Sequence, residues 1–256
     1  WLSNRSDSAS EREFVLRQAD DMTLVLQTHT RDTLLSVDDV VRRLKRDFER
    51  DGLRADLQRL MQDHLDIADY ITLASVADAQ GRVILSTLPI LRDASIADVA
   101  HFRAHVERDT GESFISKPVL DRASGKWSFH LSRRINQSDG TFAGVAIVAV
   151  DLSYWERLLR EGHFGEAGGI ALIGRDGAAR AAFKRNAKGQ TLMQRDWRFI
   201  ARAAERAPHG RLTATSPEDR GEIWAYRELK VFPLLVAVSV DEAFMAGRLD
   251  AVRTRN

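Results

Sequence analysis

Residues Trp127–Asp151 read WSFHLSRRINQSDGTFAGVAIVAVD, the pattern of two long strands joined by a turn. In the first strand large apolar residues (Trp127, Phe129, Leu131) alternate with polar ones (Ser128, His130, Ser132), which predicts a half-buried strand. The cluster Asn136–Gly140 then supplies the positive backbone φ of a tight reversal through Asp139-Gly140. The second strand, Phe142–Val150, is apolar throughout, so both of its faces are expected to be covered. It ends in an acid, Asp151, which is either solvated at an edge or aimed into a cleft.

The same strand recurs. Phe142–Asp151 (FAGVAIVAVD) and Phe232–Asp241 (FPLLVAVSVD) run from Phe to Asp at one spacing, each followed by a helical pattern (LSYWERLL, EAFMAGRL). The lead-in recurs too: Ile71–Leu85 and Ile170–Phe183 are each strand, glycine-containing turn, strand. A middle hairpin follows in both, FISKPVLDRASGKWSFHLSRRI and RLTATSPEDRGEIWAYREL. The chain therefore reads as α+β, with one antiparallel five-stranded unit present twice.

Ahead of these units, about Ser8 to Arg50 carries a long helical pattern. Val15, Ala19, Met22, Leu26, His29 and Thr33 alternate in spacings of four and three; Leu34, Val37, Val41, Leu44 and Phe48 continue it, shifted by one position. Such a helix is roughly 60 Å long and is expected to act as a spine or, further, as a dimer seam. Asp51-Gly52 ends it, and Leu53–Ile67 resumes a helical pattern. A short amphipathic helix is expected within Ser95–Thr110, a connecting helix over Leu152–Glu161, a flexible entry over Gly162–Gly169, and a helical tail from Glu242 to Asn256. The domain reading is residues 1–69 (spine and connecting helix), 70–155 (first unit), 156–241 (second unit) and 242–256 (terminal helix).

Composition narrows the function. The 256 residues are 44% hydrophobic and 29% charged, with 38 basic and 37 acidic side chains and a net charge of +1. There is no basic field to attract nucleic acid and no polybasic run to hold a membrane surface. The absence of cysteine removes disulfides, thiol catalysis and thiolate metal sites. No apolar run is long enough to span a bilayer. A chain that starts at Trp1 rather than Met reads as excised from something longer.

Candidate chemistry is sparse. His101 and His105 stand at i and i+4, a spacing that can hold zinc, but no HExxH glutamate accompanies them. Ser128, His130 and Ser132 with Asp151 superficially offer Ser, His and Asp, yet no GxSxG elbow is present. GxGxxG and Walker A runs are also missing, so neither an enzyme nor a cofactor is expected. Lys117, Arg122, Arg133 and Arg134 gather around the middle hairpin, either to keep an edge strand soluble or to neutralise an acidic ligand group. Trp127 is expected in the core or a cleft wall. Asp151 is a candidate anchor for a ligand amine or hydroxyl, or a cap for the following helix.

Taken together, the run His101–Trp155 (HFRAHVERDTGESFISKPVLDRASGKWSFHLSRRINQSDGTFAGVAIVAVDLSYW) resembles the double Cache family, the tandem PAS-like (PDC) extracytoplasmic sensor domains of bacterial transmembrane receptors. It follows that family's helix with an aromatic, "yiS-x-P-v", "D-x-x-sG-x-w" and "GvvgvDls". GGIALIGRDGAARAAF and AYRELKVFPLLVAVSVDEAF fit the second, membrane-proximal repeat. The resemblance implies two tandem PAS-like domains behind the long N-terminal helix, with a small-molecule ligand held in the membrane-distal first repeat. It implies flanking membrane spans, a periplasmic location, a homodimer through the N-terminal helix, and a histidine kinase, diguanylate cyclase or chemotaxis module as output.

Members of this family that bind amino acids grip the carboxylate with Arg-x-[Trp/Tyr]-[Tyr/Phe] and the amine with the strand-end Asp. Here Asp151 and Phe102 match, Val99 stands at the Arg position and His101 at the preceding aromatic. The residues that the resemblance puts around a pocket are His101, Phe102, Ser116, Lys117, Trp127, His130 and Asp151. The competing expectation is a periplasmic protein-interaction or structural module with no small-molecule ligand.

Overall fold

The computed structural model describes residues 3–64, 69–90, 94–154, 157, 168–184, 195–213 and 222–241. Helix α1, Ser3–Asp51, runs 49 residues without a glycine or proline to break it and ends where Gly52 takes a φ of +58°. Its buried stripe is Leu16, Ala19, Thr23, Leu26, Thr30, Thr33, Leu34, Val37, Val40, Val41 and Leu44. From Thr33 onward the stripe widens: Leu34, Val37, Val41 and Leu44, the seam expected to be shifted by one position, are all buried, with Phe48 half-buried. Val15, Met22 and His29, placed on the seam from the sequence, flank it half-buried. Thr23 fits the stripe because a helical threonine can satisfy its hydroxyl internally: its Oγ1 donates to the Ala19 carbonyl at 2.5 Å. After α1 come a single turn, Gly52–Arg54, and α2, Leu57–Gln62, capped by Asp56 through the Arg59 N–H.

The chain divides into two compact units, Asp32–Trp155 and Trp1–Arg31 with Glu156–Asn256. In the first, the strands are β1 (Ile71–Asp78), β2 (Val83–Ser86), β3 (Phe114–Ile115), β4 (Val119–Leu120), β5 (Trp127–Asn136) and β6 (Phe142–Asp151), with α3 (Ala100–Glu107) between β2 and β3. They form one antiparallel sheet in the order β2-β1-β6-β5-β3, with β4 added alongside β5. β6 lies between β1 and β5, so both of its edges are paired, and residues 144–151 are buried throughout, with Phe102, Ile96 and Val99 packed on Val145 and Ile147. Within it Gly144 (φ +154°) passes so close to β1 that a Cβ would stand 2.1 Å from the Ala77 carbonyl oxygen.

β5 departs from the half-buried expectation, because both of its faces are covered. Phe129, Leu131, Arg133 and Ile135 lie on the face that meets α1. There the buried Arg133 guanidinium grips Asp38 through two hydrogen bonds of 2.8 and 2.9 Å and donates a third to the Gly111 carbonyl at 2.7 Å. Arg42 and the Ser113 hydroxyl complete the shell of Asp38.

The second unit repeats this plan. β7 (Gly169–Gly174), β8 (Ala179–Lys184), β9 (His209–Thr213), β10 (Glu222–Leu229) and β11 (Leu234–Asp241) order as β8-β7-β11-β10-β9, the sequence of neighbours seen in the first sheet. Register repeats as well: Ser128 faces Asp151 and His130 faces Ala149 in the first, Glu222 faces Asp241 and Trp224 faces Ser239 in the second. Helix α4 (Arg198–Arg206) stands between β8 and β9 as α3 stands between β2 and β3. It was not expected, although Trp197, Ile200, Ala201 and Ala204 carry helical spacing and pack with Trp224, Tyr226 and Leu235 into the core. On the opposite face Leu16 and Ala19 of α1 meet Ile223, Ala225 and Val240.

The architecture is thus the expected α+β arrangement of a long N-terminal helix and two antiparallel sheets, the first enlarged by β4. The expected helix after β6 is described only at Leu152–Tyr154 and Arg157. Most of Gly162–Gly169, the tail Glu242–Asn256 and the side chain of Asp241 fall outside the described residues.

Breaking a buried ion pair by removing one partner strands the other charge. Asp38→Ala is therefore expected to lower unfolding free energy by about 3–5 kcal/mol, read from urea denaturation. A loss below about 1 kcal/mol would show that Arg133 finds other acceptors.

Candidate functional site

The second face of β5 carries Ser128, His130 and Ser132, all at most 3% exposed. Polar groups sealed this completely must find partners inside the protein. Ser132 does so against α3: its hydroxyl donates to the His101 carbonyl at 3.2 Å and so accepts from His105 Nε2 at 2.9 Å. His130 is held by the other elements. Its N–H donates to Ser116 Oγ at 2.9 Å, its carbonyl accepts the Ser116 N–H at 2.9 Å, and its Nε2 donates to Asp121 at 3.2 Å. The His101 ring stacks on it with centroids 4.5 Å apart and 23° between planes.

Asp121 opens the turn that joins β4 to β5. One of its oxygens accepts the N–H groups of Ala123 and Ser124 at 2.9 and 2.7 Å, Gly125 follows at φ +68°, and the turn closes where the Asp121 N–H donates to the Lys126 carbonyl at 2.9 Å. The other oxygen faces His130, so this histidine fixes the turn. At the far end of the turn Lys126 reaches back, Nζ donating to Asp151 Oδ2 at 3.0 Å. Asp151 Oδ1 accepts the Ser153 N–H at 2.8 Å, which makes Asp151 a helix-start cap and an ion-pair partner at once. Directly across the ladder lies Ser128, so Asp151 shares the His130 face, roughly 7 Å further along the sheet.

Burial sets the charges. It pushes His101 down to about 3 from the ordinary 6.5, with His130 and His105 adding to the effect. Desolvation likewise lowers His105 to about 4, reinforced by Arg134 and Arg133 and only partly opposed by its bond to Ser132. For Asp121 desolvation acts upward but is outweighed by the His130 and Ser124 hydrogen bonds, which bring it to about 2. Asp151 follows the same logic, Lys126 and Ser153 overcoming burial to hold it below the usual carboxylate range.

Of the residues singled out from the sequence, His101, Ser116 and His130 meet directly, and Asp151 lies on their face. Phe102 is buried beside them in the apolar cluster of Ala77, Val145 and Ile147, edge-on to Phe142. Lys117 is exposed at the surface. Trp127 is 58% exposed, neither core nor part of the buried cluster, because it lies at the start of β5 paired only with Leu120 of β4. The basic cluster is also redistributed. Arg133 is committed to Asp38 on the other face, and Arg134 donates to the His105 carbonyl and Asn136 while lying 4.8 Å over the Phe142 ring. Asp121 entered the sequence reading only as the acid of the D-x-x-sG-x-w pattern, and neither it nor Lys126 was placed at the site. Among the described residues no group of three or more His, Asp or Glu side chains is arranged to hold a metal ion, and no helix is long and apolar enough to cross a membrane.

Solved structures share this architecture over nearly the whole chain. The extracellular domain of the candidate histidine kinase rpHK1S-Z16 superposes with a TM-score of 0.74 at 23% identity, covering 90% of this chain and 96% of its own. The fold is that of bacterial extracellular sensor domains. The same sensor fold appears in the sensory domain of the Campylobacter jejuni chemoreceptor Tlp3 with isoleucine bound (TM-score 0.63, 15% identity, 93% of this chain, 97% of that one). It appears again in the ligand-binding domain of the Pseudomonas aeruginosa PAO1 amino acid chemoreceptor PctB in complex with L-Gln (TM-score 0.66, 14% identity, 93% and 98%). No protein-family model and no curated protein sequence matches the chain.

Because the folded chain holds His101 and His105 below 6.5, the unfolded chain takes up protons first as pH falls. The stability that neutral imidazoles contribute is complete above pH 6.5 and drains as pH drops toward 4 and then 3. Between pH 6.5 and 5 the loss is expected to be on the order of 1–2 kcal/mol per histidine. Urea midpoints measured across this range for the wild type and His101→Phe should diverge, the variant having the flatter profile. Parallel profiles would contradict the assignment.

Proposed function

We infer that this chain is the extracytoplasmic ligand-sensing part of a bacterial membrane receptor, and that it holds a small polar metabolite in the first-sheet unit. The observation that carries this reading is the polar face of β5, sealed inside the unit and ending at an ionised Asp151 with a side chain 6% exposed. A core that needed only stability would gain by making these positions apolar, since buried polar groups contribute little net stability even when satisfied. Support comes also from Tlp3 and PctB, receptor domains of the same fold that hold isoleucine and L-Gln. His101, Phe102, Ser116, His130 and Asp151 are the residues proposed to surround the guest, with Lys117 and Trp127 at the rim.

On this reading membrane spans flank the chain, α1 pairs two copies, and the output is a kinase, cyclase or chemotaxis module. A sensor does its work by differential affinity: tenfold tighter binding to one state biases it by about 1.4 kcal/mol. The domain needs no turnover of its own.

A second reading, a protein-interaction module, is favoured by Val119, Leu120 and Trp127, which stand 42, 56 and 58% exposed on neighbouring strands.

The two separate in a thermal-shift screen of the purified chain against pooled amino acids, amines, organic acids and sugars. A guest at a hundred times its Kd adds about 2.7 kcal/mol, or some 5 °C or more for a chain of this size. At least one pool is expected to produce such a shift, and Asp151→Ala to abolish it. A shift that survives Asp151→Ala removes the site assignment, and silence from every pool favours the interaction module.

A further inference from the structure

Asp151 is buried, only 4% exposed. The Ser153 N–H takes one oxygen and Ser128 lies across the ladder, fully buried. The other oxygen is met by Lys126, whose own side chain is 58% exposed. This lysine enters from solvent at the end of the turn fixed by Asp121, so its stem traces a path from water to a buried carboxylate. An ion pair with one partner so exposed is held weakly, by a flexible side chain on a strongly hydrated ammonium.

The remaining charges around the cluster are one-sided. Asp121 and Asp151 are both ionised, while burial keeps His101 and His105 neutral. Arg133 is spent on Asp38 and Gly111 on the opposite face, and Arg134 on the His105 carbonyl and Asn136. Val99, at the start of α3, is apolar and packs with Phe102. Lys117 and Arg122 are exposed. A guest carboxylate could take Lys126, the cation paired with Asp151, only by leaving Asp151 without its ion-pair partner in its buried place, which is costly. A guest ammonium instead replaces Nζ, and the lysine returns to water with its charge hydrated. The number of buried ion pairs is then unchanged.

We propose that Lys126 is a tethered occupant of this site, and that the guest that displaces it is a small organic amine carrying no carboxylate. The proposal rests on the sensor reading above and gives it a ligand class. It also fixes the sign of one substitution: removing a competitor tightens binding, whereas removing a ligand contact weakens it.

The test uses the 256-residue chain and three probe pairs that differ by a carboxylate: ethanolamine and serine, putrescine and ornithine, agmatine and arginine. Calorimetric titration of the wild type, Lys126→Met and Asp151→Asn gives the affinities. At least one amine is expected to bind more tightly than its amino-acid counterpart. Lys126→Met should tighten that amine about two- to fivefold, the release of one partly exposed ion pair. Asp151→Asn should weaken it at least about tenfold. If the amino acids bind better and Lys126→Met weakens them, Lys126 is a carboxylate contact and the ligand class is overturned, with the sensor reading intact. If no probe binds any of the three proteins, while a pool from the broader screen shifts the wild type, the class is again overturned. If that screen is silent too, the sensor reading falls with it.

Discussion

A strand buried on both faces has to satisfy whatever polar side chains it carries, and β5 carries Ser128, His130 and Ser132. Everything near the candidate site answers that demand. Helix α3 supplies the His101 carbonyl and the His105 imidazole to Ser132; the segment after β3 supplies Ser116 to the His130 backbone; the turn before β5 supplies Asp121 to the His130 ring. Each partner is local to a different element, so one row of side chains gathers a helix, a strand end and a turn around itself. Such a network specifies geometry more than it adds stability, since each satisfied bond is worth only about 1 kcal/mol net.

The reverse face is organised by charge. Arg133 and Asp38 bring β5 and the second half of α1 together through a two-pronged bond, and the Gly111 carbonyl takes a third donor. A guanidinium suits this place because its donors are fixed in a fork and it tolerates burial better than an ammonium. The contrast with Lys126 is instructive: the arginine is locked and shielded, the lysine is reachable and replaceable. One strand thus presents a permanent ion pair on one side and, at its beginning, a labile one on the other.

Much of this was legible in the residues. The β5–β6 hairpin, the duplicated terminal strand and the glycine turns follow from period-two alternation and turn chemistry, which act locally. That one antiparallel unit occurs twice was legible for the same reason, because the runs of strands and turns are alike. What escaped was set by neighbours distant in sequence. His130 and Ser132 look solvent-facing until α3 covers them, and Trp127, expected in the core or a cleft wall, is exposed where its strand partner is the short β4. On α1, Val15, Met22 and His29 were placed on the stripe in place of Leu16, Thr23 and Thr30; Thr23 reads as polar, although a threonine bonded to its own helix behaves as a small apolar surface. Helix α4 escaped because its buried face leans on alanines, Ala201 and Ala204, which carry little hydropathy signal. Arg133 illustrates the limit for charges: its neighbour Arg134 is basic, and its partners Asp38 and Gly111 lie far away in sequence.

The matched register of the two sheets makes the chain its own paralogue. At the rung where one copy sets an imidazole opposite an alanine, the other sets an indole opposite a serine. In that second copy the Trp224 ring reaches over the sheet to Gly169, where an added Cβ would stand 3.2 Å from the ring, and beds edge-on against Trp197. One strand plan thus carries two solutions, a hydrogen-bonded hub in the first sheet and an aromatic plug in the second. Exchanging the two rung pairs would be a transplant between siblings, with compatible backbone on both sides and only the contents of the rung in question.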